Sequence, residues 1–314
     1  MSKKYAIGID LGGTNLRVAL VSEEGEIIRK IKRPSSDKII DSVIQSIEDI
    51  GHGEIEGIGF GVAGLIDRKE GRVFVSPNLH AIEGIDFTNE IGSRFKVPVF
   101  IENDANVAAL GEKIGGAGKG FKNFVLLTLG TGIGGGIIYQ GELLNVSAEI
   151  GHMSINTEGE KCSCGNTGCL ENYASARAMI AKAVVFLEKG SESLLKECCK
   201  GSFYKLTPED IYKAALEGDI LAREILKDAG KHLGIGLANI INILSPEAMI
   251  LTGGLIGAWN IYVQEAIKEA SRRAFKDLFD SVKIIPSSLG DEAGIIGAAS
   301  LVFNELSKES PKTV

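Results

Sequence analysis

The stretch KKYAIGIDLGGTNLRVALVSEEGEIIRKIKRP begins with an apolar run, alternates through Leu16, Val18 and Leu20, and turns at Glu24-Gly25 into a third extended segment. Period-two patterning between tight turns predicts a β-meander. In DKIIDSVIQSIEDI the apolar positions recur at helical spacing behind Asp37, which can cap the helix. EIEGIGFGVAG reads as a glycine-rich strand and SPNLHAIEG as a loop, followed by a short helix, the strand VPVFIEND and the helix ANVAALGEKI. A first lobe ends around GGAGKGF.

The next strand repeats the opening. Ile9-Asp10-Leu11-Gly12-Gly13-Thr14 lines up with Leu127-Thr128-Leu129-Gly130-Thr131-Gly132, each a strand that meets a glycine turn and continues into another strand. The pattern predicts an internal duplication. Its second copy is interrupted by a cysteine loop and by helices, of which ILAREILKDAGKHLGIGLANIINILS is the longest. The strand AMILTGG, a helix through Ala258–Arg273, the strand VKIIPSS and a last helix beginning at Asp291 close the chain.

A chain of 314 residues is long enough for two lobes. They are expected as residues 1–118, joined by the C-terminal helix 291–314, and residues 119–290. With 44% hydrophobic and 24% charged residues, no long apolar run and no basic leader, the composition is that of a soluble cytoplasmic protein without a membrane partner. A net charge of −7 provides no broad basic face for nucleic acid, so small molecules are the favoured partners. The 40 glycines follow no period and cluster at strand ends.

A glycine turn lets backbone N–H groups approach an anion without Cβ interference, and a threonine adds a hydroxyl donor. Two such turns can hold a polyphosphate, whereas either alone reads more readily as a plain hairpin than as a phosphate site. Gly130-Thr131-Gly132-Ile133-Gly134-Gly135 matches G-x-G-x-x-G in form, but Gly136-Ile137-Ile138-Tyr139 continues as a strand where a dinucleotide site needs a helix N-terminus. GAGKGF lacks Walker A spacing. Neither a Rossmann nor a P-loop site is expected.

Three of five cysteines lie in CSCGNTGCLE, where Cys162, Cys164 and Cys169 are close enough to share one ion and Gly165 and Gly168 permit tight folding. A disulfide is the alternative, but C-x-C spacing strains a bridge and leaves an odd thiol. Asn103-Asp104 ends a strand and begins a helix, so Asp104 reads either as an N-cap or as a carboxylate kept ionised by the helix terminus.

IGIDLGGTNLRVAL, LGTGIGGG, LTGG, ENDANVAALGE and, above all, EIGH followed by CSCGNTGCLE resemble the ROK family of sugar kinases and repressors, and within it the ATP-dependent glucokinases, over almost the whole chain. The resemblance implies a two-lobed α/β fold of the actin-like ATPase (ribonuclease H-like) class, with a duplicated β-meander and an active site in the interlobe cleft. It makes Asp104 the general base for phosphorylation of glucose by ATP. Asp10 would assist Mg²⁺ through water; Gly12, Gly13 and Thr14 would face the phosphates from one lobe, Gly130, Thr131 and Gly132 from the other. Thr252, Gly253 and Gly254 would meet the nucleoside. Asn78, Asn103, Asp104, Glu149, His152 and Glu171 would bind the sugar. His152 becomes the fourth ligand of a closed structural Zn²⁺ site in the large-lobe loop 152–171, in preference to His52, His80 or His232. A homodimer is also implied. Kinases for another hexose or an N-acetylhexosamine, polyphosphate as donor, and a sugar-sensing repressor share these features. The repressors carry a helix-turn-helix ahead of the kinase-like part, and only Met1–Lys4 precede the first strand here.

Overall fold

The computed structural model describes residues 3–36, 38–51, 53–76, 79–199 and 202–309. The meander forms as β1 (Tyr5–Leu11), β2 (Asn15–Ser22) and β3 (Ile27–Pro34), antiparallel throughout, with Asp10 opposite Arg17. Helix α1 (Ile39–Ile50) buries Ile39, Val43, Ile47 and Ile50, the stripe its periodicity predicts. Its N-cap position is Lys38, without a side-chain bond. Asp37, the expected cap, lies outside the described residues.

Strand β4 (Ile58–Val62), the short pair β5 (Leu65–Asp67) and β6 (Arg72–Val75), and β7 (Val99–Asn103) follow. Parallel pairing of β1 with β4 and of β4 with β7 gives the first sheet the order β3-β2-β1-β4-β7. Helix α2 (Asp104–Gly115) leaves the end of β7 directly. The second sheet uses β8 (Phe124–Leu129), β9 (Ile133–Tyr139), β10 (Glu142–Leu143), β11 (Ala248–Thr252) and β12 (Lys283–Pro286) in the order β10-β9-β8-β11-β12. Strand for strand this is the first order again, so the repeated turn motif marks a duplicated sheet. The other helices of ten or more residues are α3 (Ala176–Glu188), α4 (Ile220–Leu244), α5 (Gln264–Arg273) and α6 (Ala293–Glu309).

Backbone proximity divides the chain into residues 1–126, 136–147 and 287–314 as one unit, and residues 127–135 and 148–286 as the other. In the first, Ile7, Ile9, Leu11, Val18, Phe60 and Phe87 lie in one core, with the Phe60 and Phe87 rings 4.9 Å apart. Burying such side chains contributes roughly 1.5–3 kcal/mol each. Helix α6 packs backbone to backbone there. A Cβ on Gly59 would stand 1.8 Å from the Ala298 carbonyl oxygen, and one on Gly297 1.6 Å from that of Val107, so a larger residue would force α6 away from β4 at the first position and from α2 at the second. In the second unit, Leu127, Leu129, Leu233, Leu237, Ile250 and Tyr262 are buried. Among the described residues no helix is long and apolar enough to cross a membrane.

Candidate functional site

The first unit holds the turn between β1 and β2. Gly13 and Thr14 are exposed, and the turn is braced from beneath: Ser35 Oγ donates to the Gly12 carbonyl (2.6 Å) and Ser35 N to that of Thr14 (3.0 Å). Asp10, at the end of β1, accepts from Arg17 Nη1 (2.8 Å), whose Nη2 donates to Asp291 (2.8 Å). Burial pushes the Asp10 carboxyl above its ordinary range, while the charge and hydrogen bond of Arg17 pull against it.

In the same unit, the strand-to-helix junction separates two roles that the sequence left open for Asp104. The N-cap of α2 is Asn103, whose Oδ1 accepts from Ala105 N (2.9 Å) and whose Nδ2 donates to the Gly64 carbonyl (3.3 Å). Asp104 is the first helical residue, its Oδ1 also 2.9 Å from Ala105 N. Asn78 lies outside the described residues.

The second unit holds the β8–β9 turn, where Thr131 is exposed. Here the brace is a carboxylate: Glu171 Oε2 accepts from Ile133 N (2.9 Å) and Oε1 from Arg177 (2.8 Å). The carboxylate sits so close that a Cβ on Gly132 would be 2.3 Å from Oε2, whereas one on Gly130 would meet nothing within 4 Å. A side chain at 132 would therefore have to displace the Glu171 carboxylate from its bond to Ile133 N, whereas one at 130 meets no protein atom. A cleft of about 630 Å³ leads from Thr131 along α3 past Ala176, Ile180 and Val184 to Tyr204. Thr252 is buried at the end of β11, and Gly253 (φ 96°) lies against the Leu129 carbonyl, where a Cβ would come within 2.3 Å.

The cysteine loop folds on local hydrogen bonds. Cys162 N donates to Asn166 O (2.8 Å), Gly165 N to Cys162 O (3.0 Å) and Ile155 N to Gly168 O (2.8 Å). Asn166 Nδ2 donates to the His152 carbonyl (3.2 Å). The ligand atoms of His152, Cys162, Cys164 and Cys169 all lie within 4.8 Å of one another, with 3.6 Å from Cys162 Sγ to His152 Nδ1 and 3.7 Å from Cys164 Sγ to Cys169 Sγ. A tetrahedral zinc with bonds of about 2.3 Å to sulfur and about 2.0 Å to nitrogen has edges of about 3.6–3.8 Å, so the donor set fits that ion. None of the five cysteines is bridged in the structure.

The thiols titrate unequally. Burial pushes Cys162 up, but hydrogen bonds from Cys164, Cys169 and His152 more than offset it and bring it to about 7. Burial and the neighbouring sulfurs drive Cys169 to about 12. His152 Nε2 points the other way, 4.0 Å from Glu149. Partial burial holds the Glu149 carboxyl above its ordinary range, the Glu171 charge adds to this, and His152 opposes it. Ala148, at φ 44°, carries a rare backbone conformation immediately before Glu149. Of the other histidines, His80 is exposed beside Glu83 (3.0 Å) and His232 stacks on Tyr173 (4.7 Å between ring centroids), while His52 lies outside the described residues.

Sequence reasoning missed Arg17, Ser35 and Arg177. Arg17 lies in the opening motif, but its role depends on Asp10 and on Asp291, 274 positions away, while Ser35 reaches back to Gly12 and Arg177 to Glu171, contacts that no spacing rule marks. Within the first unit the structure joins Asp10 to the β1–β2 turn and Asn103 to Asp104. Within the second it joins the four ligand residues to Glu149, and Glu171 to the β8–β9 turn.

A duplicated five-stranded sheet with a glycine turn after the first strand of each copy is the actin-like ATPase fold, the fold of the ROK sugar kinases. Residues 6–305 match the ROK family, and the chain belongs to it. It is 36% identical over 312 residues to the glucokinase of Thermotoga maritima, covering 96% of this chain and 98% of that protein. It is also 36% identical over 315 residues to the xylose repressor of Bacillus subtilis, covering 96% of this chain and 77% of the repressor. The crystal structure of a ROK family glucokinase from Streptomyces griseus, in complex with glucose and AMPPNP, superposes with a TM-score of 0.82 at 32% identity, covering 96% of this chain and 99% of that one.

Proposed function

We propose that the chain transfers the γ-phosphoryl group of Mg-ATP to the 6-hydroxyl of glucose. The broader class, a hexokinase-type sugar kinase, rests on the glucokinase relatives. The observation that carries the finer reading is the placement of Asp104 as the first residue of α2, with Asn103 supplying the cap. The positive end of the helix favours an ionised carboxylate at that position. A weak base suffices for phosphoryl transfer, because the alcohol loses its proton late and positioning dominates.

Asp10 assists Mg²⁺ through water, and the two glycine turns hold the phosphates. The cleft beside Thr131 takes the adenine ring, with Thr252, Gly253 and Gly254 toward the nucleoside. Asn78, Asn103, Glu149, His152 and Glu171 bind the sugar hydroxyls. His152, Cys162, Cys164 and Cys169 would hold zinc, whose four protein ligands leave no open position for water. Ligation through Nδ1 would fix the His152 tautomer with its proton on Nε2, the nitrogen 4.0 Å from Glu149, where it could donate to a hydroxyl.

A coupled assay tests this reading. Asp104→Asn should lower kcat about 10²–10⁴-fold while the glucose Kd stays within a few-fold. Zinc-loaded protein that turns over no hexose with Mg-ATP, or an unchanged kcat in Asp104→Asn, overturns it. The xylose repressor, equally identical, favours a second reading, a sugar-responsive regulator. Sequence-specific, sugar-sensitive DNA binding in a gel shift would establish that one. A kcat/KM panel over glucose, mannose and N-acetylhexosamines separates glucose from other sugars.

A further inference from the structure

We propose that Arg68 and Glu102 form a positioning pair that sets the placement of Asp104. The inference rests on the reading of Asp104 given above. Glu102 is 3% exposed and stands on β7 two residues before Asp104. Its Oε1 accepts from Asn103 N (2.7 Å), Arg68 Nη2 (2.8 Å) and Asn106 Nδ2 (2.9 Å), and its Oε2 accepts from Arg68 Nε. Arg68 Nη2 and Asn106 Nδ2 also donate to the Val146 carbonyl, at 3.2 and 3.1 Å. One buried carboxylate thereby ties together the end of β7, the first turn of α2, the turn between β5 and β6, and the segment after β10.

Asp104 lies between two of the bonded residues, Asn103 and Asn106, so its backbone is held on both sides by the same acceptor. Arg68 is itself presented in a fixed way, because Asp67 Oδ1 accepts from Lys69 N (2.9 Å) and Glu70 N (3.1 Å) and closes the turn that carries it. The bidentate guanidinium fork supplies direction as well as charge, which a lysine would not.

Stability does not explain the pair. A buried ion pair is commonly no better for stability than apolar side chains of similar volume. The Asn106 Oδ1 is moreover buried without a hydrogen-bond partner, so the amide is oriented by its donor side at the expense of its acceptor. Both features fit a network selected for the geometry of the β7–α2 junction, where a displacement of about 1 Å costs on the order of 10² in rate.

The test uses the full-length zinc-loaded protein in the coupled assay with glucose and Mg-ATP. Glu102→Gln and Arg68→Met should each lower kcat about 10–100-fold, the KM for ATP staying within about twofold. Arg68→Lys, which keeps the charge and loses the fork, should fall between Arg68→Met and the wild type. The double variant Arg68→Met/Glu102→Gln should melt close to the wild type and stay slow. Wild-type kcat in Glu102→Gln, or full recovery of kcat in the double variant, overturns the inference. If either Glu102 variant fails to fold, the two Arg68 single variants decide, and equal kcat in Arg68→Met, Arg68→Lys and the wild type overturns it. An inactive wild type would instead overturn the proposed function, so the two failures are distinguishable.

Discussion

The glycine turns after β1 and after β8 occupy equivalent places in two sheets of the same strand order, and they are braced by unlike groups. The first rests on a serine hydroxyl and has the Asp10–Arg17 pair below it. The second rests on the carboxylate of Glu171, which directly follows the buried Cys169-Leu170 of the cysteine loop. A duplicated backbone has therefore kept its hydrogen-bonding need, N–H and C=O groups that must be satisfied, and met it with different chemistry. Through Glu171 the second turn is joined to the segment that carries Cys169, one of the proposed metal ligands.

The largest expected effect tests that link. Cys164→Ala, or removal of zinc by chelation, should abolish stoichiometric zinc and raise the glucose KM about 10–100-fold, the usual consequence of disturbing a metal-held ligand. The KM for ATP should rise with it through Glu171. Full activity in verified zinc-free protein would separate the turn from the metal.

Next comes the contrast between neighbouring glycines. Gly132→Ala drives a methyl into the Glu171 carboxylate, and loss of the Ile133 N–H bond, at about 1–3 kcal/mol for an unpaired buried group, should lower Tm and raise the ATP KM at least fivefold. Gly130→Ala meets no protein atom and should leave Tm unchanged. Any loss of ATP affinity there reports a clash with the nucleotide, and a normal ATP KM would remove Gly130 from the phosphate site.

The third test concerns the first turn. Burial raises the Asp10 carboxyl and Arg17 counteracts it. If ionised Asp10 serves Mg²⁺, kcat/KM falls as pH drops through its folded pKa, and Arg17→Met should move that acid limb to higher pH. A limb that stays in place or moves lower would assign the titration elsewhere. The smallest effect is expected for Ser35→Ala, which removes one hydrogen bond to Gly12 O, about 1 kcal/mol, and should raise the ATP KM about fivefold or less without affecting glucose. An effect as large as that of Gly132→Ala would mean that the two turns are equally dependent on their braces.

The legible parts of the molecule were the local ones. Both glycine turns, the β1–β3 meander and the helix after β7 follow from periodicity and turn residues within short windows. The proposed metal ligands lie within residues 152–169, so spacing alone could bring the cysteines together. The illegible parts are charged groups whose partners are remote: Arg17 and Asp291 are 274 positions apart, and Arg68 and Glu102 are 34 apart. Glu102 illustrates the physical reason. A glutamate in VFIEND reads as solvated, and only the arrival of a guanidinium, an amide and a backbone N–H makes its burial tolerable. Asp104 was ambiguous for a related reason, since either residue of Asn103-Asp104 can cap a helix and tertiary placement decides between them.

The shared strand order also bears on how such a chain could have grown. Between β3 and β4 the first copy crosses over through residues 35–57, which contain one long helix. Between β10 and β11, the equivalent strands, the second copy runs through residues 144–247 and contains the cysteine loop, α3 and α4. A crossover of this kind tolerates insertion because its ends are pinned by the sheet and its middle is not. The whole ligand loop is thus an elaboration at a single joint, and recombination there could exchange one recognition module for another while leaving both five-stranded frames untouched.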